Sequence, residues 1–214
     1  MKRFLLSMLA IFLVIGLASA GAFAWFSDTE TSTGNTFTAG TLDLKVSDTS
    51  EGYKDGVSAT WTMSNMQPGV TTVGPYSVNL QNSGNLAGNH VEISFSHSIN
   101  DLPDVESDTK KNSTPGEMAR WIEITLMTYN GTNFVTAPYT DANGNTFFDL
   151  DDLTWPVYAA EGGLLDNKPA PAPNNGGTIT FTMTLKFNAG ATNDIQGDTL
   201  TTTVTFTLNQ SSSQ

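Results

Sequence analysis

The chain has two histidines, His90 and His97, in the run His-Val-Glu-Ile-Ser-Phe-Ser-His. Imidazoles suggest metal binding or general-base catalysis, but this spacing argues against a shared ion. Strand side chains alternate between faces, and seven positions is an odd interval. A continuous strand therefore sends the two rings to opposite sides. His97 falls with Val91, Ile93 and Phe95 as a wall residue, and His90 with Glu92 on the surface. The HExxH arrangement of zinc peptidases is absent, as is the Gly-x-Ser-x-Gly elbow. There is no cysteine, hence neither a thiol nucleophile nor a disulfide. A metalloprotease ranks last among the function classes on these grounds.

A second constellation is acidic. In Asp-Ala-Asn-Gly-Asn-Thr-Phe-Phe-Asp-Leu-Asp-Asp, Asp141, Asn143 and Asn145 present alternate oxygens, and Asp149, Asp151 and Asp152 follow. Calcium wants six to eight such oxygens on a flexible loop. The match to an EF-hand loop is partial: Thr146 stands at the sixth position in place of glycine, and Asp152 at the twelfth in place of glutamate. The alternative is an Asn-Gly turn leading into a solvated acidic loop. No cofactor is required by any motif, and calcium is the one cation the sequence suggests. Asn112, Asn130 and Asn209 lie in Asn-x-Ser/Thr sequons, which permit N-glycosylation in a secreted chain.

The elements that must carry these residues read as strands. Ile179, Phe181, Met183, Leu185 and Phe187 alternate with polar residues, as do Leu200, Val204, Phe206 and Leu208. The same period of two marks 41–46, 59–63 (Ala59, Trp61, Met63), 76–80 (Tyr76, Val78, Leu80), 91–97 and 121–129 (Ile122, Ile124, Leu126). Strict alternation implies half-buried strands with one wet face. No amphipathic helix of useful length is apparent beyond the leader. The expected fold is all-β, a jelly-roll-type two-sheet sandwich over residues 35–214. Long polar connections at 98–118 and 136–177 interrupt it, the latter with polyproline character at 167–177.

Residues 1–24 carry the marks of an export leader. Lys2 and Arg3 precede the apolar run Phe4–Leu17, and small residues follow. Cleavage after Ala22-Phe23-Ala24 leaves Trp25 first; Ala18-Ser19-Ala20 is a competing site, and an uncleaved anchor is the alternative. Losing 1–24 removes two positive charges and no negative ones, taking the net charge from −12 to −14. So acidic a chain does not suit nucleic acid. Membrane contact is expected only through the leader before cleavage.

The segment that follows the leader raises the functional question. Trp25 and Phe26 are succeeded by Ser27, Asp28 and a run containing Thr29, Thr31 and Thr33, after which Gly34 and Asn35 offer a hinge. Such a stretch is suited to pairing with an open sheet edge on another copy, the aromatics filling apolar space there. On these residues alone the simpler account, a frayed terminus or a first strand pairing within its own domain, is the stronger one.

Two stretches carry a family resemblance: Trp25–Val46 and Asn65–Gly88. An aromatic-Ser-Asp segment after the leader precedes Thr36-Phe37, Gly40-Thr41-Leu42-Asp43-Leu44, a Pro68-Gly69 turn and an Asn82-Ser83-Gly84 turn. This pattern resembles the TasA/camelysin family of secreted fibre-forming proteins, specifically over about the first ninety residues and only in architecture beyond. The resemblance implies a jelly-roll subunit polymerising by donor-strand exchange into extracellular fibres of biofilms, as related archaeal pili do. Residues 25–34 would then be the donor strand and identical subunits, head to tail, the partners. Metalloprotease labels within the family find no zinc motif here to support them. The competing reading is a cell-surface adhesin module acting through its acidic loops, calcium-dependent or glycan-binding.

Overall fold

A computed structural model describes residues 2–21, 39–48, 51–57, 61–100, 116–135, 141–160, 162–192, 195 and 197–212. The chain divides into two units, Met1–Ala39 and Gly40–Gln214. In the first, α1 (Lys2–Gly21) is helical, and its side chains from Phe4 to Phe12 are exposed. Among the described residues no helix is long and apolar enough to cross a membrane.

The second unit is a sandwich of two antiparallel sheets, as the alternation predicts. Its strands are β1 (Leu44–Ser47), β2 (Thr72–Asn82), β3 (His90–Asn100), β4 (Ile122–Tyr129), β5 (Thr132–Asn133), β6 (Lys168–Pro169), β7 (Thr178–Phe187) and β8 (Thr199–Asn209). One sheet has the order β1-β2-β7-β4-β5, the other β6-β3-β8. Every second residue of β7, from Ile179 to Phe187, is buried. These meet Val91, Ile93 and Phe95 of β3 across the core, where the Phe181 ring lies 6.4 Å from Phe95 and 5.5 Å from Phe206. Burying such side chains is the main driving force for the fold, each contributing about 1.5–3 kcal/mol.

Two expectations fail locally. In β4 the inward phase changes at a bulge between Ile124 and Leu126, where Thr125 is the extra residue. Met127 and Tyr129 consequently face the core and Leu126 does not, because one inserted residue reverses the alternation. No strand forms over 61–63, and 58–60 lie outside the described residues. Trp61 and Met63 pack on the core from irregular chain. The Trp61 indole N–H donates to the Met183 carbonyl at 2.8 Å and its ring edge meets Phe181 at 5.9 Å. A side chain bonded to the sheet thus takes the place of a paired backbone.

The long connections contain short elements that the composition hides. α2 (Gly116–Ala119) precedes β4; a 3-10 turn (Asp152–Thr154) and α3 (Pro156–Ala159) precede β6. Proline at the first position of α3 costs no hydrogen bond there, since the first-turn N–H groups have no helical partner.

Candidate functional site

The two sheets differ in width, and that difference creates the most prominent feature of the unit. The Tyr129 hydroxyl of β4 donates to Pro169 O of β6 at 2.7 Å. Phe181 of β7 touches β3 and β8. The three-stranded sheet therefore stands over β4 and β7, and β8 is its last strand. Its outer edge has no partner among the described residues. Beyond it, the inner faces of β1 and β2 border an open groove of about 1370 Å³. Leu44, Val46 and Val78 line one side, Leu200, Val204 and Phe206 the other, with Met183 and Trp61 between. The β3 mates of Val204 and Phe206, Phe95 and Ile93, are buried, whereas Ile99 opposite Leu200 and the inward residues of β8 remain only half-buried. An unpaired backbone edge beside an apolar trough is a template for one added strand.

The described part of the resemblance motif, from Gly40 onward, folds into a clamp beside this groove. Gln67-Pro68-Gly69-Val70 closes a turn through Val70 N–H and Gln67 O at 3.1 Å, and Gly69 has φ +73°, the left-handed value that a type II turn asks of glycine. β1 pairs with β2 from Leu44↔Asn82 to Ser47↔Asn79. Ser83 N–H donates to Asp43 O and Leu86 N–H to Thr41 O, at 2.7 and 3.1 Å. Motif halves about forty positions apart are thus one unit, and it holds β1 on the rim of the groove.

The acidic run also comes together. The Asp141 carboxylate accepts the N–H groups of Gly144, Asn145 and Thr146 at 2.7–3.0 Å. Thr146 has φ +80°, so the chain makes its sharp turn at the position where an EF-hand has glycine. Asp152 accepts Ala142, Asn143 and Asp149 N–H; Asp149 accepts Asp151 and Asp152 N–H. The side-chain amides of Asn143 and Asn145 donate into the carboxylates of Asp149 and Asp151 at 2.6–3.2 Å. Burial, helped by the Asp152 charge, pushes Asp149 up to about 7 despite those donors. Asp152 is raised for the same first reason.

His97 is the wall residue its parity implies. Its Nδ1 meets Thr202 Oγ1 at 3.0 Å and its Nε2 lies 2.8 Å from Leu150 O, tying the acidic loop to the sheet. Desolvation holds its pKa below the ordinary value. His90 does lie on the opposite face, but it is buried at 3% exposure rather than on the surface. Asn209 directly across on β8 and Asp166 from the connection before β6 cover it, a non-local effect outside the reach of strand parity. Asn130 is exposed, in a tight turn at φ +50°. The donor segment 25–34, the hinge Gly34-Asn35 and Asn112 lie outside the described residues. The edge position of β8 has no sequence signal, since edge and central strands alternate alike.

The wide sheet and the narrow sheet together define a two-sheet β-sandwich whose narrower sheet ends at β8 among the described residues. A family model described as camelysin metallo-endopeptidase matches residues 1–214, so the chain belongs to the TasA/camelysin family. A comparison with curated proteins returned no match. The metal that the description implies finds one fitting donor set among the described residues, His90, Glu92 and Asp166. The cavity bordered by Glu92 and Asp166 measures about 100 Å³, large enough for an ion and a few waters and too small for a peptide.

Proposed function

We propose that this chain is a secreted structural subunit that assembles head to tail, residues 25–34 of one copy completing the second sheet of the next. The observation that carries this reading is the apolar groove beside the outer edge of β8, which has no partner among the described residues. Ten extended residues span about 33 Å, comparable with the strand they would pair against. Backbone hydrogen bonds along β8 supply most of the directional contact, and Trp25 and Phe26 supply the apolar area that Asp28 to Thr33 lack. The contact joins two different surfaces, so each copy that donates its strand also offers an edge to the next, which lets the chain of copies grow into a filament. Residues 1–24 serve as the export leader, and the product is an extracellular fibre of the biofilm-matrix or pilus kind. A structural use suits this chain better than a peptidase use, because the metal-type cluster found among the described residues adjoins a cavity of only about 100 Å³.

A chain of residues 35–214, which retains the whole core of the second unit, tests the groove directly with a synthetic peptide of residues 25–34. Saturable binding, lost when Val204→Arg places a charge in the groove while circular dichroism is unchanged, supports the reading. An intact groove that takes no peptide removes it.

A further inference from the structure

We propose that His90, Glu92 and Asp166, joined by Asn209, bind one divalent transition metal of zinc type as a structural staple. The residues come from three separate stretches. Period two puts His90 and Glu92 on the same face of β3, and the register sets Asn209 of β8 directly opposite His90. β6 pairs Pro169 with His90, which brings Asp166 alongside.

One ligand atom from each of His90, Glu92 and Asp166 lies within 4.8 Å of the other two. His90 Nε2 is 3.2 Å from Glu92 Oε1 and 4.0 Å from Asp166 Oδ1. Ligands about 2.0–2.2 Å from a tetrahedral zinc stand about 3.3–3.5 Å apart, so only small side-chain rotations separate this arrangement from a ligand shell. The Asn209 amide nitrogen is assigned 3.2 Å from the same ring nitrogen, and a half-turn of that amide brings its oxygen there instead.

The cluster is rich in acceptors. His90 Nδ1 lies 3.3 Å from Asn89 Oδ1 and Nε2 lies 3.2 Å from Glu92 Oε1, so either ring nitrogen can carry the proton. A divalent ion on Nε2 takes the tautomer with the proton on Nδ1, where Asn89 accepts it. Asp166 is already oriented: Gly162 N–H, Asn167 N–H and the Asn167 amide all donate to it at 2.7 Å. Such outer partners fix the direction of a metal-ligating carboxylate. The nearby cation, Lys168, lies with its Nζ over the Phe134 ring, 5.1 Å from its centre, and acts on Asp166 through space. The small cavity beside Glu92, whose side chain is about one-third exposed, supplies an entry path.

One imidazole with two carboxylates and an amide oxygen suits zinc or manganese, and the affinity order favours zinc. Calcium wants more oxygens, and thiolate-preferring ions lack their ligand in a chain without cysteine. Two carboxylates balance the charge of a divalent ion. Bound there, the ion ties β3, the end of β8 and the connection before β6 together, a cross-link that a cysteine-free chain has no disulfide to provide.

Calorimetric titration of the chelator-stripped chain of residues 25–214 with zinc chloride tests the site. The expected result is one equivalent bound, a raised Tm, and affinity lower by at least about tenfold in Glu92→Gln. His90→Gln should abolish the equivalent and Asp149→Asn should leave it unchanged. If His90→Gln does not fold, Glu92→Gln at the exposed rim decides alone. An imidazolium held by two carboxylates, with no zinc binding tighter than about 100 μM, overturns the proposal. So does binding that Glu92→Gln leaves unaltered.

Discussion

Asn82 is wholly buried and uses both ends of its amide. Its oxygen accepts Gly84 N–H at 3.0 Å and Asp43 N–H at 3.4 Å; its nitrogen donates to Leu86 O at 2.8 Å. Gly84 beside it has no room for a side chain, since a Cβ would run into the backbone of Thr41 and Asp43. Asn82→Ala should therefore cost about 2–3 kcal/mol in chemical denaturation, by stranding buried donors and acceptors. The sequence shows these residues as a turn motif, but the clamp requires their partners in β1, which no local pattern identifies. The acidic loop was likewise visible as spacing, and its burial was not. Asp149 titrates at about 7 in the fold against 3.8 unfolded, so protonation favours the fold. Its contribution is complete below about pH 4 and lost as pH rises through 7. His97, with its lowered pKa, acts in the opposite sense, destabilising the fold as pH falls below 6.5. The difference in Tm between wild type and Asp149→Asn isolates the first effect and should move in the variant's favour from pH 5 to pH 8. Thr146→Gly should add about 1 kcal/mol, because a β-branched residue is strained at φ +80°. A Thr146→Gly protein no more stable than wild type would show that the turn tolerates threonine.

At the level of elements, β7 and β8 were readable because their apolar residues alternate without interruption. β4 was readable only in part, since the bulge at Thr125 shifts its phase and the pattern before the bulge does not announce it. The span 59–63 alternates as a strand does, but Trp61 hydrogen-bonds to the sheet through its side chain while its own stretch stays irregular. Pairing order was not legible at all: alternation says that a strand has a buried face, never which neighbour it lacks. The half-buried inward face of β8 is where this matters. Val204→Arg should leave the unfolding midpoint close to wild type, as its side chain already borders open space, and should abolish assembly in light scattering. Unfolding of the variant, or undiminished assembly, would mean that β8 is either a sealed core strand or not an acceptor.

For the whole molecule, the period of two along the chain pointed to a β-sandwich and the charge to an acidic one, and a two-sheet sandwich is what forms. A sheet of five strands facing one of three leaves apolar area that another chain can cover. The absence of cysteine sharpens the question of what rigidifies so open a fold. Subunit contacts and a metal staple are separable answers: zinc should raise the Tm of the monomer without creating filaments, and the N-terminal strand should create filaments without zinc. Negative-stain electron microscopy of a chain beginning at Trp25 beside one beginning at Asn35, both in the presence of chelator, tests the central claim most directly. Regular filaments from the first and folded monomers from the second are the predicted result; monomers from both, or filaments from both, would contradict it.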